Sequence, residues 1–105
     1  MRTGLGWRSL DLMEATDAVH EVSDPTELRR IAYEARCAEA RRLAVLKTGD
    51  KELMRTFALT DVSPIVRRRL VRELDDVETV RKIADEDEDR SVRDSARGRL
   101  ERLEI

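Results

Sequence analysis

The chain has 105 residues and a formal net charge of −2, with 42% charged and 3% aromatic residues. Its single cysteine, Cys37, excludes an internal disulfide and any zinc or iron–sulfur site built from several cysteines of this chain, and it favours a cytoplasmic location. No apolar run approaches the roughly 18 residues of a membrane helix, and the balanced charge argues against attraction of the whole surface to nucleic acid or membrane.

The first predicted element is an amphipathic helix over residues 7–22, after the loose start at Gly4 and Gly6. Its apolar residues are Leu10, Met13, Ala15, Ala18, Val19 and Val22. Because Ala18 aligns with Ala44 at the spacing described next, we interpret segment 1–23 as an N-terminal capping helix.

From Asp24 onward the chain repeats every 26 residues without a gap, which divides it into segments 24–49, 50–75 and 76–105. Equivalent positions hold the same residue type in all three segments. The polar sets are Asp24, Asp50 and Asp76; Arg29, Arg55 and Arg81; and Arg41, Arg67 and Arg93. The apolar sets include Leu28, Met54 and Val80; Ile31, Phe57 and Ile83; Ala32, Ala58 and Ala84; and Ala40, Val66 and Val92.

The residue pattern of each repeat predicts two short helices. Asp24 and Pro25 are typical of a cap and a first helical turn, and the following apolar residues recur at i, i+3 and i+4. The sequence Asp61-Val62-Ser63-Pro64 marks the turn before the second helix, which Ser63 would cap. Helices this short are marginal alone and must pack on neighbours. Phe57 lies in an apolar set, so we predict that it is a core residue.

The segment Asp61-Val62-Ser63-Pro64-Ile65-Val66-Arg67 resembles a HEAT repeat, with its turn Asp, its Pro and its Val-Arg pair. The last repeat keeps Asp87 and Val92-Arg93 but has Arg90 in place of Pro, and the first has Ala35 in place of Asp. The 26-residue unit is shorter than the usual HEAT unit of about 40 residues. It is similar to the compact HEAT-like units of bilin lyase-type and leucine-rich-repeat-variant proteins.

The resemblance implies an all-α fold. This would be a right-handed α-α superhelix (a HEAT/armadillo-like solenoid) of three two-helix repeats behind an N-terminal capping helix. It also implies a ladder of hydrogen bonds between turn Asp and helix Arg, here Asp61 with Arg67 and Asp87 with Arg93, or with the equivalent Arg of the neighbouring repeat.

A basic stripe is the main candidate binding surface. Arg68 and Arg72 lie four residues apart on one helix face, and Arg42 is equivalent to Arg68 one repeat earlier. Asp94 and Gly98 would end the stripe. The stripe has acidic neighbours: Glu39 before Arg42, and Asp75 and Asp76 after Arg72. If these acids pair with the arginines, the stripe is a solvated, ion-paired face; if they turn away, it is a phosphate or acidic-peptide site.

Other motifs are weaker. The acidic run 85–89 lacks the glycine and ligand spacing of a calcium loop, and Cys37 has no obvious base, since His20 lies on another predicted helix. No phosphate-binding loop or nucleophile motif is present. The sequence therefore predicts a non-enzymatic protein-binding or scaffolding module without cofactor or metal, self-association included. The alternative is a nucleic-acid or phosphate-binding module that uses the arginine stripe.

Overall fold

A computed structural model of the chain describes residues 3–104; residues 1, 2 and 105, which fall in the predicted cap and last repeat, lie outside the described part. The described residues are all-α, with no β-strand. A 3-10 turn at Gly6–Arg8 precedes seven helices. They are α1 Leu12–His20, α2 Pro25–Glu34, α3 Ala38–Thr48, α4 Lys51–Thr60, α5 Pro64–Val71, α6 Val77–Glu86 and α7 Arg90–Leu103.

The chain forms two compact units, Met1–Asp50 (the N-terminal unit) and Lys51–Ile105 (the C-terminal unit). In the N-terminal unit, α2 and α3 form an antiparallel hairpin, and α1 packs on α3. In the C-terminal unit, α4 pairs with α5 and α6 pairs with α7, while α5 packs on α7. In both units, therefore, the second helix of a hairpin contacts the helix that aligns with it one repeat earlier.

The helices keep the spacing of the sequence repeat. First helices begin at Pro25, Lys51 and Val77, and second helices begin at Ala38, Pro64 and Arg90, so each set recurs every 26 residues. The predicted apolar positions are buried in every repeat; Ile31, Phe57 and Ile83 are 0%, 6% and 2% exposed. The prediction that Phe57 is a core residue is confirmed.

The N-terminal helix is shorter than predicted. The pattern predicts one helix over residues 7–22, but α1 begins only at Leu12, because the Asp11 carboxylate accepts the Glu14 backbone N–H and caps the helix there. Leu10 and Met13, two apolar residues of the predicted helix, are 70% and 72% exposed. The preceding segment instead folds back as a 3-10 turn.

Segment 3–9 is held on α1 by a buried carboxylate. Glu14 accepts hydrogen bonds from the backbone N–H and hydroxyl of Thr3 and from the backbone N–H of Gly4, at 2.8 to 3.1 Å. These bonds, that from the Thr3 backbone first, lower the pKa of Glu14 to about 2. Gly4 adopts φ +82°, a left-handed conformation that glycine adopts without strain.

Cations on the second helices satisfy backbone carbonyls at the ends of their neighbours. Lys47 on α3 donates to the carbonyls of Val19, His20 and Val22 at the end of α1, at 2.7 to 3.0 Å. Arg99 on α7 donates from Nε to the Leu74 carbonyl just after α5, at 2.7 Å. Terminal carbonyls lack helical partners, so these contacts fix α1 against α3 and α5 against α7.

Candidate partner-binding groove between α5 and α7

Arginines at one repeat position lock all three inter-helix turns. Nη1 of Arg41, Arg67 and Arg93 donates to a backbone carbonyl six residues earlier, that of Ala35, Asp61 and Asp87, at 3.1, 2.7 and 2.7 Å. The same contact at the same position in each repeat indicates a structural role. These arginines hold the turns rather than a ligand.

Arg67 also joins the two turns of the C-terminal unit. Its Nε lies 2.9 Å from Oδ2 of Asp87 and its Nη2 lies 3.2 Å from Oδ1, a two-point pair between side chains that are 7% and 5% exposed. The hydrogen bond with Asp87 raises the pKa of Arg67, against the opposing effect of burial. Asp61 meets Arg67 through its backbone carbonyl, while its carboxylate accepts the Ser63 backbone N–H at 2.9 Å.

An outer row of ion pairs follows the same repeat. Arg29 meets Asp50 at 3.5 Å, Arg55 meets Asp76 at 3.4 Å, and Arg81 meets Glu104 at 3.0 Å. These side chains are 30% to 56% exposed, so each pair contributes little to stability. One of these acids, Asp76, follows Arg72 closely in the sequence, so its pair with Arg55 bears on the basic stripe.

Asp75 and Asp76, the acids that follow Arg72, turn to other partners. Asp75 accepts a hydrogen bond from Lys51 at 3.1 Å, and this contact lowers the pKa of Asp75. Asp76 accepts from the Thr79 hydroxyl at 2.6 Å, which lowers its pKa, and it also pairs with Arg55. Arg72 donates instead to the Ser95 hydroxyl at 3.5 Å.

Arg42 behaves differently from Arg68 and Arg72. It belongs to the N-terminal unit, where its guanidinium group forks onto the Glu39 carboxylate; Nε lies 3.1 and 3.2 Å from the two oxygens, and Nη2 contacts Oε1. This i, i+3 pair is mostly shielded from solvent, with side chains 17% and 27% exposed. Arg42 is therefore neutralised locally.

Arg68 and Arg72 line an open groove of about 410 Å³ between α5 and α7. Its other lining residues all come from α7: Ser91, Asp94, Ser95, Gly98 and Arg102. Asp94 is the one acid among them, and its carboxylate is bonded to Arg97 at 3.2 Å and lies 3.8 Å from Arg90. The groove thus combines three guanidinium groups with hydroxyl groups and an open backbone.

Sequence reasoning missed Arg102, Ser95 and the role of Gly98. Asp94 and Gly98 were expected to end the basic stripe, but both line the groove, and Arg102 lies one helical turn beyond Gly98. The spacing of residues 91, 94, 95, 98 and 102 along one face of α7 was a signal in the sequence. An ideal Cβ at Gly98 would meet nothing within 4 Å, so the groove is open at this point.

A second cleft, of about 550 Å³, lies beside the turns of the C-terminal unit. Its lining includes Arg67 and Asp87, which the turn ladder already uses, and the exposed Glu86, Glu88 and Val62. Val62 is 86% exposed, so the cleft has an apolar rim. We assign the cleft to the structural ladder.

The remaining candidates do not assemble into a reactive centre. Cys37 is buried at the start of α3, and His20 is exposed at the end of α1. Within residues 3–104, no three His, Cys, Asp or Glu side chains come together in a way that could hold a metal ion. Asp89 of the acidic run caps α7, accepting from the backbone N–H groups of Ser91 and Val92.

None of the helices described over residues 3–104 is both long and apolar enough to cross a membrane. Comparisons of the chain with protein-family models, with curated proteins and with solved structures gave no match.

Proposed function

We propose that this chain is a cytoplasmic, non-enzymatic HEAT-like module that binds an acidic segment of a protein partner in the groove between α5 and α7. The proposal rests on where the groove arginines lie and on which partners the neighbouring acids have. Arg68, Arg72 and Arg102 line one concave surface, while the neighbouring acids Asp75 and Asp76 pair with Lys51 and Arg55.

The repeated contacts support the HEAT-like part of the proposal. Second-helix arginines make the same turn contact in three successive repeats, and the helices begin at a constant interval of 26 residues. Packing of α1 on α3 and of α5 on α7 supports it further, because the units of a solenoid contact their neighbours. Small-angle scattering from the full chain tests this, because a solenoid of three repeats behind a cap is elongated.

Electrostatics favour an acidic ligand. A guanidinium group presents a planar fork that matches a carboxylate and is more weakly hydrated than an ammonium group. Within a groove whose walls exclude part of the solvent, such pairs are stronger than on an open surface. Binding should weaken as salt is added, because screening shortens the range of the field to about 10 Å at 0.1 M.

The test is a fluorescence-anisotropy titration of a fluorescein-labelled peptide of alternating glutamate and serine, at low and moderate salt. Wild type should bind, and the double variant Arg68→Glu/Arg72→Glu should lose about tenfold or more in affinity, since each lost charge-assisted bond contributes about 1.5–3 kcal/mol. Arg69→Glu is the matched control; Arg69 is an exposed residue of the same helix outside the groove lining.

The alternative functions predict different results in the same kind of titration. Tighter binding of single- or double-stranded nucleic acid than of peptide, with a steep salt dependence, would replace protein binding by a nucleic-acid function. Sedimentation equilibrium at several concentrations tests self-association. Equal peptide affinity in wild type and in a folded Arg68→Glu/Arg72→Glu variant would remove the groove as the binding site.

A further inference from the structure

The groove between α5 and α7 carries more positive charge than one carboxylate would neutralise. Its lining has three arginines, Arg68, Arg72 and Arg102, against one acid, Asp94. Asp94 is already bonded to Arg97 on its own helix. The lining residues thus leave two formal positive charges.

Arg68 also holds a hydrogen-bond donor that nothing accepts. Its Nε is buried and has no hydrogen-bond partner among residues 3–104. Buried donors are paired in nearly all native structures, so an orphaned one needs an explanation, and a missing ligand is one. Because this Nε is buried, the Arg68 side chain must shift towards the groove before a ligand oxygen can accept from it.

We propose that the groove is a receptor for a phosphoryl group, namely a phosphorylated serine or threonine within the acidic partner segment. This inference rests on the proposed function. A phosphate monoester carries about −1.5 to −2 charges near neutral pH and three strong acceptor oxygens. It matches the two uncompensated charges, and arginine clusters are a recurring way of recognising phosphorylated peptides.

The hydroxyl groups of the groove fit the same ligand. Ser95 accepts from Nη2 of Arg72 at 3.5 Å, which leaves its own proton to be donated to a phosphoryl oxygen. Ser91 has a different task, because its hydroxyl donates to the Asp89 carboxylate at 2.5 Å. Ser95 is therefore the hydroxyl that contacts the ligand.

Gly98 leaves room for the main chain that carries the phosphoryl group. Glycine within a helix is less stable than alanine, yet Gly98 lies inside α7 and an added Cβ would contact nothing within 4 Å. The fold does not need a glycine there for want of space. We take the absence of a side chain at Gly98 as the space through which the ligand backbone passes.

A nucleic-acid backbone fits the groove less well. A phosphodiester has only a single charge, so one diester would neutralise half of the excess. The groove lining also contains no aromatic side chain on which a base could stack. These two features favour a monoester on a protein partner.

The experiment compares the glutamate–serine peptide with the same peptide carrying one phosphoserine, using the full chain. The phosphopeptide should bind about tenfold more tightly or better. Its advantage should grow as pH rises from about 5 to 7.5, through the second phosphate pKa of about 6. In ¹⁵N-labelled protein, inorganic phosphate and phosphopeptide should both shift the Nε–Hε resonance of Arg68.

Two conservative variants guard against misfolding as the cause of lost binding. Arg68→Lys keeps the charge and removes the fork, and Arg102→Gln alters an exposed side chain; each should erase most of the phosphate advantage, whereas Arg69→Lys should keep it. Equal affinity for both peptides would overturn the phosphoryl assignment while leaving acidic-peptide binding intact. Binding of neither peptide would overturn both proposals, and preference for an oligonucleotide would overturn the monoester in favour of a phosphodiester.

Discussion

Removing the Asp87 carboxylate should strongly destabilise the C-terminal unit. Asp87 accepts Nε and Nη2 of Arg67 and the backbone N–H of Asp89, at 2.9, 3.2 and 2.9 Å, in a site where its side chain is 5% exposed. Asp87→Ala would remove both hydrogen bonds that the buried Arg67 guanidinium group makes with a carboxylate, leaving only the Glu88 carboxylate at 3.9 Å, on a side chain that is 89% exposed. The Arg67 guanidinium group cannot escape this cost by losing its proton, because arginine stays protonated in proteins.

The expected cost follows from that geometry. Breaking one partner of a buried ion pair costs about 3–5 kcal/mol, because the surviving charge remains desolvated. A domain of this size has about 5–15 kcal/mol of stability in total, so the variant should be close to unfolding at 37 °C. In urea the midpoint should fall by one to two molar or more, at a typical slope of about 1–3 kcal/mol per molar.

Urea unfolding followed by circular dichroism measures the loss, with Asp85→Ala as the matched control. Asp85 is an exposed acid of the same run, in the last turn of α6, and its replacement should change the unfolding free energy by less than about 0.5 kcal/mol. The double variant Arg67→Met/Asp87→Ala should recover part of the loss, since it removes both buried charges. An Asp87→Ala effect no larger than that of Asp85→Ala would refute the reasoning.

Three further outcomes are expected. Because the Phe57 side chain is 6% exposed, Phe57→Ala should lower the unfolding free energy, measured by urea denaturation, by about 3–5 kcal/mol. Phe57→Leu should lower it by less than about 1.5 kcal/mol. Equal effects of the two variants would contradict tight packing around Phe57. Gly98→Ala should raise the unfolding free energy by about 0.5–1 kcal/mol and weaken peptide binding. Unchanged binding would argue against a ligand backbone at this position. The Glu14 pKa of about 2 lies below its ordinary 4.5, so the stabilisation from Glu14 is present above pH 4.5 and lost towards pH 2. Glu14→Gln should therefore change Trp7 fluorescence at pH 7 as acid does in wild type, and an unchanged spectrum would contradict the Glu14 anchor.

Features that depend on local sequence were predicted well. Apolar periodicity identified the buried face of each hairpin, since an i, i+3, i+4 pattern puts those residues on one side of a helix. Asp24 was assigned as a cap and accepts a backbone N–H two residues ahead, as does Asp76 at the same position of the last repeat. Ser63 was assigned as a cap too, but its side chain makes no such bond; its backbone N–H donates to the Asp61 carboxylate.

Contacts for which several acceptors compete could not be predicted from the sequence. The ladder was expected to join Asp61 with Arg67 through side chains, with the neighbouring repeat as the alternative. In the structure the Arg67 guanidinium group pairs with the Asp87 carboxylate, twenty residues away, and reaches Asp61 only through its carbonyl. Choosing between these acceptors requires knowing how α5 packs on α7. Sequence spacing alone does not contain that distance.

The groove illustrates where in a repeat protein a binding site can be sought. Positions that repeat, such as Arg41, Arg67 and Arg93, make the same contact in each turn and so carry the fold. Several groove positions depart from the repeat, although Arg68 matches Arg42: Arg102 lies one period after Asp76 and two periods after Asp50. Gly98 and Asp94 also differ from their equivalents, as does Arg72 from Leu46. Residues that depart from the 26-residue pattern take no part in the contacts that recur in each repeat, so we expect partner contacts to be found among them.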